Sequence, residues 1–319
     1  MSKKTRKHKV AIVTGGAGFI GAHLVNALID EDFEVHVIDN LVNGNRSLIN
    51  KKAIFHKTDV TKPADLKKVF GKVGEGAYVF HLACLPRVKF SIDFPRETHS
   101  TNIDGTFNVL MAAKESHSKR VIYSASSSAY GDQPILPLVE TMTPMPKSPY
   151  GLQKYIGELY CSMFSKIYGL ETVSLRYFNV YGPKQPPSGS YAQAIPKFLD
   201  QMRRGVPITV TGDGKQTRDC TNVSDVVRAN LLAALSPKVG NGEVINIGSG
   251  KNYSMNEIAA LIGGKVVYIS ARLEPRDTRA GISLAKKLLG WAPRVSLREG
   301  IKELKGKTVK VKSAEFNVG

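Results

Sequence analysis

The first 180 residues alternate between short apolar runs and amphipathic stretches, a pattern typical of strands and helices that follow one another. The opening run, Val10 to Thr14, leads through a glycine-rich turn into a segment in which Ile20, Leu24 and Leu28 share one helical face. Continuous apolar runs of this kind indicate strands that are buried on both faces, as in a parallel sheet. The pattern therefore predicts an α/β fold with a doubly wound parallel sheet, whose further strands we place at 35–39, 53–57, 78–83 and 120–123.

The alternation breaks at about residue 180. A stretch with four prolines between 183 and 196 follows, and then a helical pattern that runs to Arg204. The earlier pattern returns afterwards, with a predicted helix over 224–235 and a strand over 244–247. We therefore expect two domains with a discontinuous border. Residues 1–180, with return segments at about 221–250, form the larger domain, and residues 181–319 mainly form the smaller one.

Composition narrows the class of protein further. The chain has 319 residues, 42% of them hydrophobic, which is enough for a full core, and it contains no apolar run long enough to span a membrane. The basic N-terminus is not followed by an apolar stretch, so we expect no secretory signal. Cys84, Cys161 and Cys220 lack the spacing of a disulfide framework or a metal site, which favours a reducing, cytoplasmic location and no bound metal.

The formal net charge of +18 raises the question of nucleic-acid binding. Lysines and arginines crowd both ends of the chain, over 3–9 and 302–312. No zinc-finger, RNA-recognition or aromatic-interleaved basic motif accompanies them. We therefore expect solvated basic tails, with no specific nucleic-acid partner and no membrane partner.

The glycine-rich turn carries the clearest chemical signal in the chain. Gly16-x-Gly18-x-x-Gly21 lies between the first strand and the first helix, which is the context of a dinucleotide-binding fingerprint. Glycine lets a pyrophosphate approach the helix N-terminus, where N–H groups and the helix dipole favour negative charge. The second strand ends in Asp39, whose carboxylate can accept hydrogen bonds from ribose hydroxyls but would repel a 2′-phosphate. NAD is therefore predicted rather than NADP.

Polar residues follow the ends of other strands, where parallel sheets bind ligands. Asp59, followed by Val60, can meet an adenine edge or cap the next helix, and both interpretations stay open. His81 lies in an apolar strand without a partner in the sequence, which favours a core histidine whose hydrogen bonds are satisfied. The turn-rich loop after the second strand is expected near the cofactor ribose, through Asn40, Asn43 and Gly44.

A hydroxyl-rich segment, 124–131, follows the fifth strand and is placed for chemistry at the same edge of the sheet. Downstream, Ser148 and Pro149 begin a predicted helix in which Tyr150 and Lys154 lie four residues apart on one face. A nearby ammonium group and a cationic nicotinamide would both lower the pKa of the tyrosine, whose free value is near ~10. The phenol could then exchange a proton with a substrate hydroxyl near neutral pH.

In this order, the motifs identify the chain as similar to the extended short-chain dehydrogenases/reductases. Within them it resembles the nucleotide-sugar epimerases of the UDP-glucose/UDP-galactose 4-epimerase type, over roughly residues 10 to 300. The segments that carry the resemblance are 14–21, 39–41, 59–60, 81–83, 102–106, 124–131, 150–154, 176–182, 212–219, 246–250 and 285–290.

The resemblance implies a Rossmann domain that binds NAD and a smaller domain that binds a UDP-sugar. The implied catalytic residues are Ser126, Tyr150 and Lys154. The implied cofactor-binding residues are Gly15, Gly18, Phe19, Ile20, Gly21, Asp39, Asn40, Asn43, Gly44, Asp59, Val60, Leu82, Ala83, Asn102, Ser124, Tyr150, Lys154 and Phe178. The implied substrate-binding residues are Ser126, Ser128, Asn179, Arg218 and Arg276.

The implied reaction is inversion at C4 of a UDP-hexose, such as UDP-glucose or UDP-galactose, through a transient 4-keto intermediate. Tyr150, helped by Ser126, takes the C4 hydroxyl proton while NAD takes the hydride, which then returns to the opposite face of the sugar. Net oxidation is zero. The runner-up is epimerisation of a UDP-N-acetylhexosamine or of UDP-glucuronate.

Other reactions of related proteins are less favoured. Sugar-nucleotide dehydratases carry Asp-Glu after the catalytic hydroxyl, where this chain has Ser127 and Ser128. A sugar-nucleotide reductase would usually prefer NADPH, against which Asp39 argues. A non-catalytic NAD- or RNA-binding relative has no need of the complete set of Ser126, Tyr150 and Lys154.

One region departs from the family pattern. The spacer in Glu274-Pro-Arg-Asp-Thr-Arg-Ala-Gly-Ile-Ser283 is shortened, and Gly281 stands where relatives have Asp. Relatives carry in that spacer the residue that sets the room at C2 of the sugar, so the choice between a plain and an N-acetylated hexose stays open. Arg276 is the preferred second diphosphate-binding arginine, with Arg272 nearly as good.

The resemblance also implies a homodimer, since relatives mostly pair through two helices from each subunit. The corresponding segments are 98–114 and 150–168. Ala112, Ala113 and Cys161 in these segments are compatible with such an interface and equally with ordinary core faces.

Overall fold

A parallel sheet of seven strands forms the centre of the protein, in a computed structural model that describes residues 9–187, 193–270 and 276–306. The strands are β1 Val10–Thr14, β2 Glu34–Asp39, β3 Ile54–Lys57, β4 Tyr78–His81, β5 Arg120–Ser126, β6 Thr172–Tyr177, β7 Val180–Tyr181, β8 Ile208–Thr211, β9 Thr217–Arg218, β10 Thr221–Asn222, β11 Asn241–Ile247, β12 Tyr253–Ser254 and β13 Val266–Ile269. The central sheet has the order β3-β2-β1-β4-β5-β6-β11. It confirms the predicted doubly wound α/β fold.

Helices cover both faces of this sheet, as expected of parallel strands joined by crossovers. The α-helices are α1 Phe19–Asp30, α2 Pro63–Val73, α3 Val88–Asp93, α4 Pro95–His99, α5 Gly105–Glu115, α6 Pro149–Tyr168, α7 Ala194–Arg203, α8 Val223–Leu235, α9 Met255–Ile262, α10 Ser283–Leu289 and α11 Leu297–Leu304. Short 3₁₀ turns lie at Arg46–Leu48 and Ser127–Ala129, and a π-helical turn lies at Ser100–Asp104. Among the described residues, no helix is both long and apolar enough to cross a membrane.

Two strands of the central sheet end at residues other than those predicted. The fourth strand ends at His81, two residues earlier than expected, and β5 continues to Ser126 rather than ending at Tyr123. The extension follows from pairing, because β6 runs alongside β5 until Ser126 faces Tyr177. As a result, two of the predicted hydroxyl groups stand on a hydrogen-bonded strand instead of a loop.

A smaller unit lies at the carboxyl edge of the sheet. Its core contains Phe198 from α7, Ile208 from β8, Ile258 from α9 and Ile301 from α11. Strands β8 and β13 form a parallel pair beside these helices. Hydrophobic burial of the helices against the strand pair holds the unit together.

The chain crosses between the two units more often than predicted. Helix α8 and strand β11 pack in the large unit. Helix α10 and Trp291, however, also belong to the large core, although the sequence placed the tail after 251 in the small domain. Trp291 is fully buried there, and its indole N–H donates to Asp225 O at 2.9 Å, which fixes this segment against α8.

Candidate active site

The glycine turn after β1 is too tight for side chains. Gly15 has φ +71°, and a Cβ there would lie 2.7 Å from Ala83 N. A Cβ on Gly21 would lie 2.2 Å from Gly15 O. Gly18 caps α1, and its carbonyl accepts the first bond within the helix, from Ala22 N at 2.9 Å. The N–H groups of the first helical residues, Phe19, Ile20 and Gly21, therefore have no acceptor within the helix and lie at its positive end.

Asp39 lies directly beside this turn. Its Oδ2 accepts a hydrogen bond from Ala17 N at 3.0 Å, and its Oδ1 accepts one from Leu41 N at 2.8 Å. Gly44 passes so close that a Cβ there would come within 2.7 Å of Asp39 Oδ1. A carboxylate has about four acceptor positions, so these two bonds leave capacity for ribose hydroxyls. The turn and the carboxylate together fit the diphosphate and ribose of a dinucleotide.

Of the two roles weighed for Asp59, the structure excludes the helix cap. Asn40 Nδ2 donates to Asp59 Oδ2 at 2.8 Å, and Thr61 N and Oγ1 both donate to Asp59 Oδ1 at 2.8 Å. Burial acts to raise the pKa of Asp59, but these hydrogen bonds outweigh it and lower the pKa. The cap of α2 is Lys62, so Asp59 closes a turn and does not cap that helix.

Val60, next to this turn, is buried. Its backbone carbonyl accepts a hydrogen bond from Asn108 Nδ2 at 3.1 Å, which ties the turn to α5. The contact of Asp59 and Val60 with the adenine of a cofactor stays a prediction.

The loop after β4 is held against the glycine turn. Leu82 N donates to Thr14 O at 3.1 Å, and Ala83 N donates to Thr14 Oγ1 at 3.2 Å. Asn102 is 1% exposed and its amide is bonded within the protein: Oδ1 accepts from Leu85 N at 2.8 Å, and Nδ2 donates to Leu85 O and to Gln153 Oε1. Asn102 therefore shapes the loop, and its direct contact with a cofactor stays a prediction.

Ser126 ends β5, and Tyr150 and Lys154 lie in the first turns of α6; their catalytic roles stay a prediction. The Ser126 hydroxyl donates to Ser128 Oγ at 3.0 Å and accepts from Ser128 N at 3.2 Å, and it acts to lower the pKa of Tyr150. Lys154 is 3% exposed, and its Nζ donates to Ser124 O at 2.6 Å. Ser148 Oγ accepts from Gly151 N at 3.1 Å and begins α6, which presents the tyrosine and the lysine on one face.

The acidity expected of Tyr150 is not found in the protein alone. Desolvation by burial and the charge of Cys84 raise its pKa above the ordinary value, while the hydrogen bond with Ser126 and the charge of Arg87 act in the opposite direction. Burial is the largest of these effects. The Lys154 ammonium, which was expected to lower the pKa, instead donates to the Ser124 carbonyl.

Two further predicted cofactor residues lie inside the fold. Ser124 Oγ lies 3.1 Å from Tyr177 Oη, which in turn donates to Asn230 Oδ1 at 2.9 Å. Phe178 is fully buried, with its ring centroid 6.3 Å from that of Tyr130. The observed contacts of Ser124 and Phe178 are all within the protein. Their contact with a cofactor therefore stays a prediction.

The predicted substrate residues are only partly brought together. Asn179, with φ +27°, donates from Nδ2 to Asp219 O at 2.8 Å, directly next to Arg218. Arg218 donates from Nη1 to Thr217 O at 2.9 Å and to Arg276 O at 3.0 Å. The Arg276 side chain is 68% exposed and lies 3.8 Å from Asp213, so only its backbone joins this group. Arg272 lies outside the described residues.

His81 is the core histidine that the sequence predicts. It is 1% exposed, with Nδ1 2.7 Å from Thr14 Oγ1 and Nε2 2.9 Å from Thr106 Oγ1. Burial, with a smaller effect of the Lys154 charge, lowers its pKa to about 3. His81 is therefore neutral at physiological pH and supports the strand beside the site.

Sequence reasoning missed several residues that hold the site. Ser91 Oγ accepts from Tyr150 N at 3.0 Å across 59 positions of the chain. Arg87 has φ +97°, which is rare for a residue with a side chain, and its charge acts on Tyr150. Gln153 fixes Asn102, and Asp219 binds the turn after β11 and the segment at 280. Of these residues, only Gln153 and Asp219 could have been found from the sequence, because they are adjacent to Lys154 and Arg218.

Comparisons with known proteins agree with this geometry. The model of the NAD dependent epimerase/dehydratase family matches residues 11–248. A putative UDP-glucose 4-epimerase of Methanocaldococcus jannaschii is 39% identical over 302 residues, which cover 92% of this chain and 96% of that protein.

Solved structures give the same result. The UDP-glucose 4-epimerase of Thermotoga maritima, solved with UDP-glucose, superimposes with a TM-score of 0.89 at 38% identity, over 93% of this chain and 98% of that one. The UDP-glucuronic acid 4-epimerase of Bacillus cereus, solved with UDP-glucuronic acid and NAD, superimposes with a TM-score of 0.85 at 33% identity, over 93% and 98%. These findings confirm the resemblance, the fold and NAD as the cofactor.

Proposed function

Because this chain belongs to the NAD-dependent epimerase/dehydratase family, we propose that it interconverts the C4 epimers of a UDP-hexose, in the first place UDP-glucose and UDP-galactose. The observation that carries the proposal is the group at the end of β5, where Ser126 acts on the pKa of Tyr150 and the Lys154 ammonium donates to Ser124 O. The relatives named above share this activity class toward UDP-sugars. The identity of the hexose is inferred from them.

Each residue has a part in this proposed reaction. Burial keeps Tyr150 protonated in the protein alone, so the proposal requires the positive charge of a bound nicotinamide to lower its pKa. As the phenolate, Tyr150 then accepts the proton of the C4 hydroxyl and later returns it, with Ser126 as the second hydroxyl that orients the substrate. Lys154 supplies a buried positive charge whose position is set by Ser124 O. Bound at the glycine turn and Asp39, NAD supplies a reversible hydride acceptor for C4, so that the 4-keto sugar can be reduced on its other face.

The hydroxyl cluster also distinguishes this proposal from elimination of water. Ser128 lies where dehydratases carry a carboxylic acid, and its N–H and hydroxyl are both bonded to Ser126. Neither Ser127 nor Ser128 can act as a second acid and base near neutral pH, because a serine hydroxyl does not titrate there. Redox-neutral epimerisation needs no such pair.

The first test of the function is NMR of the purified protein with UDP-galactose and no added reductant. We expect UDP-glucose to form. If it does not form, the same experiment is repeated with UDP-N-acetylglucosamine and with UDP-glucuronate, and conversion of either would identify it as the substrate. If none of the three is converted with NAD supplied, the proposed epimerase activity is wrong.

The residue test is Tyr150→Phe. Removing the phenolic hydroxyl removes the proton acceptor, so we expect the rate to fall by a factor of at least about 10². UDP affinity, measured by calorimetry, should change little. Tyr155→Phe on the same helix is the matched control, with an expected rate near that of the unmodified enzyme. Unchanged turnover in Tyr150→Phe would contradict the assignment.

We further propose that the protein is a homodimer in the cytoplasm. Three apolar side chains on α5 and α6 support the dimer: Phe107, Leu152 and Leu159 are 38%, 48% and 51% exposed. Helices α5 and α6 pack against each other, and exposed apolar side chains that lie together mark interaction sites. The side chains of Ala112, Ala113 and Cys161 lie in the core instead, so these residues form ordinary core faces and not the proposed interface.

A further inference from the structure

A single buried carboxylate joins the small unit to the edge of the central sheet. Asp219 is fully buried. Its Oδ1 accepts hydrogen bonds from Ser249 N at 2.6 Å and Ser249 Oγ at 2.7 Å, and its Oδ2 accepts from Gly250 N at 2.9 Å and Ala280 N at 3.0 Å. Every partner donates, so the geometry is that of an ionised carboxylate with its acceptor positions filled.

The backbone of the same residue makes two more links. Asp219 O accepts from Asn179 Nδ2 at 2.8 Å, and Asp219 N donates to Thr278 Oγ1 at 3.3 Å. The residue therefore connects the end of β6, the turn after β11 and the segment 276–280. Arg218 precedes it directly and is anchored to Arg276 O.

These links fix both members of a two-residue group. Asn179 and Arg218 are two of the three described residues predicted to hold the diphosphate of the substrate, and Asp219 is bonded to one of them and adjacent to the other. Burying a carboxylate without donors is strongly unfavourable, so four donors aimed at it leave one stable position for this segment. A diphosphate bound there would be held at a set distance from the first turn of α6, which carries Tyr150.

We propose that Asp219 is a positioning residue for the diphosphate of the UDP-sugar, acting through Asn179 and Arg218. The proposal rests on the proposed function. It predicts that damage at Asp219 weakens the part of substrate binding that depends on the diphosphate and leaves the part that depends on the nucleoside.

The test is Asp219→Asn, an almost isosteric change. Its amide group must place an N–H₂ against Ser249 N or against the N–H groups of Gly250 and Ala280, which breaks the arrangement. We expect the Kd for UDP, measured by calorimetry, to rise about tenfold or more. The Kd for uridine, measured by ligand-observed NMR titration, should change less than about twofold. In turnover, KM should rise more than kcat falls.

Asp277→Asn is the matched control. Asp277 is exposed, directly precedes Thr278, and accepts from Thr217 N and Oγ1 without a hydrogen bond to Ser249 or Ala280. We expect its UDP affinity to stay within about twofold of the unmodified protein.

If the Asp219→Asn protein does not fold, Ser249→Ala provides a second test of the positioning role of Asp219. This change removes only the hydroxyl bond to Asp219 and the contacts with Lys251. The Kd of this variant for UDP should rise about threefold, with the Kd for uridine unchanged.

The outcomes separate the two proposals. If the unmodified protein fails to bind UDP, the proposed function is wrong. If it binds UDP and the folded Asp219→Asn or Ser249→Ala protein binds it equally well, the positioning role is wrong. Equal losses for UDP and uridine would also overturn it, because they indicate general damage to the site.

Discussion

Single buried residues set how the stability of this protein depends on pH. His81 has a pKa of about 3 in the folded protein because burial disfavours its charged form. In the unfolded chain the histidine has an ordinary pKa near ~6.5, so between about pH 6.5 and 3 the unfolded chain binds a proton at this residue that the folded protein does not bind. The stability that His81 contributes is therefore complete above about pH 6.5 and is lost as the pH falls towards 3.

His81→Gln tests this at the residue scale. We expect the free energy of unfolding, from urea titrations at pH 7, 6 and 5, to fall with pH less steeply than in the unmodified protein, by up to about 1.4 kcal/mol per pH unit. The variant should also be less stable at pH 7 by about 1–3 kcal/mol, because Thr14 and Thr106 lose a partner. His117→Gln, at an exposed position, should keep the original slope. Parallel curves for His81→Gln and the unmodified protein would contradict the linkage.

Sequence predicted the residues whose spacing is local and missed those whose contacts are not. Tyr150 and Lys154 are fixed by one helical turn, so their shared face follows from their spacing. Ser91 reaches Tyr150 N from 59 positions away, and only the packing of α3 on α6 brings them together. In the protein alone burial raises the pKa of Tyr150, an effect that the sequence does not show because burial is a tertiary property.

At the scale of elements, the junction of β1 and α1 depends on backbone contact. Gly21, in α1, lies against Gly15 O, so that a Cβ would come to 2.2 Å. Gly71, in α2, has open space around its Cβ position. Alanine favours a helix over glycine by about 0.5–1 kcal/mol, so the two sites should respond with opposite signs.

Gly21→Ala is expected to destabilise the protein by about 1–3 kcal/mol and to lower its bound NAD, because the turn must open to admit the methyl group. Gly71→Ala is the control and should stabilise by about 0.5–1 kcal/mol with NAD content unchanged. Thermal unfolding and the absorbance of released NAD measure both. A stabilised Gly21→Ala with full NAD would show that the close approach is unimportant.

The sequence predicted the order of the strands and helices better than it predicted the residues at which they begin and end. Apolar runs predicted every strand of the central sheet except β6, whose region the resemblance alone singled out, at 176–182. The π-helical turn at Ser100–Asp104 left no trace in the pattern, because it changes the helix by one residue. The extra length of β5 depends on β6 beside it, which no local run specifies.

At the scale of the whole molecule, the apolar side chains on α5 and α6 give the dimer proposal its test. Leu159→Glu places a charge within the proposed contact, so we expect the mass from light scattering to fall from that of a dimer to that of a monomer. Ile135→Glu, on a residue that is 65% exposed outside these helices, is the control and should leave the mass unchanged. An unmodified protein that is monomeric, or a Leu159→Glu protein that stays dimeric, would contradict the interface.

The placement of Trp291 has a consequence for the order of events during synthesis. The ribosome releases most strands of the large unit first, but α8, β11 and this indole arrive only after segments of the small unit have been interposed. Until then β6 has an unpaired edge and the face under α10 is uncovered. Such surfaces invite association with other chains while translation continues. The nascent chain therefore cannot finish its first domain before its second, and both close together near the end of translation.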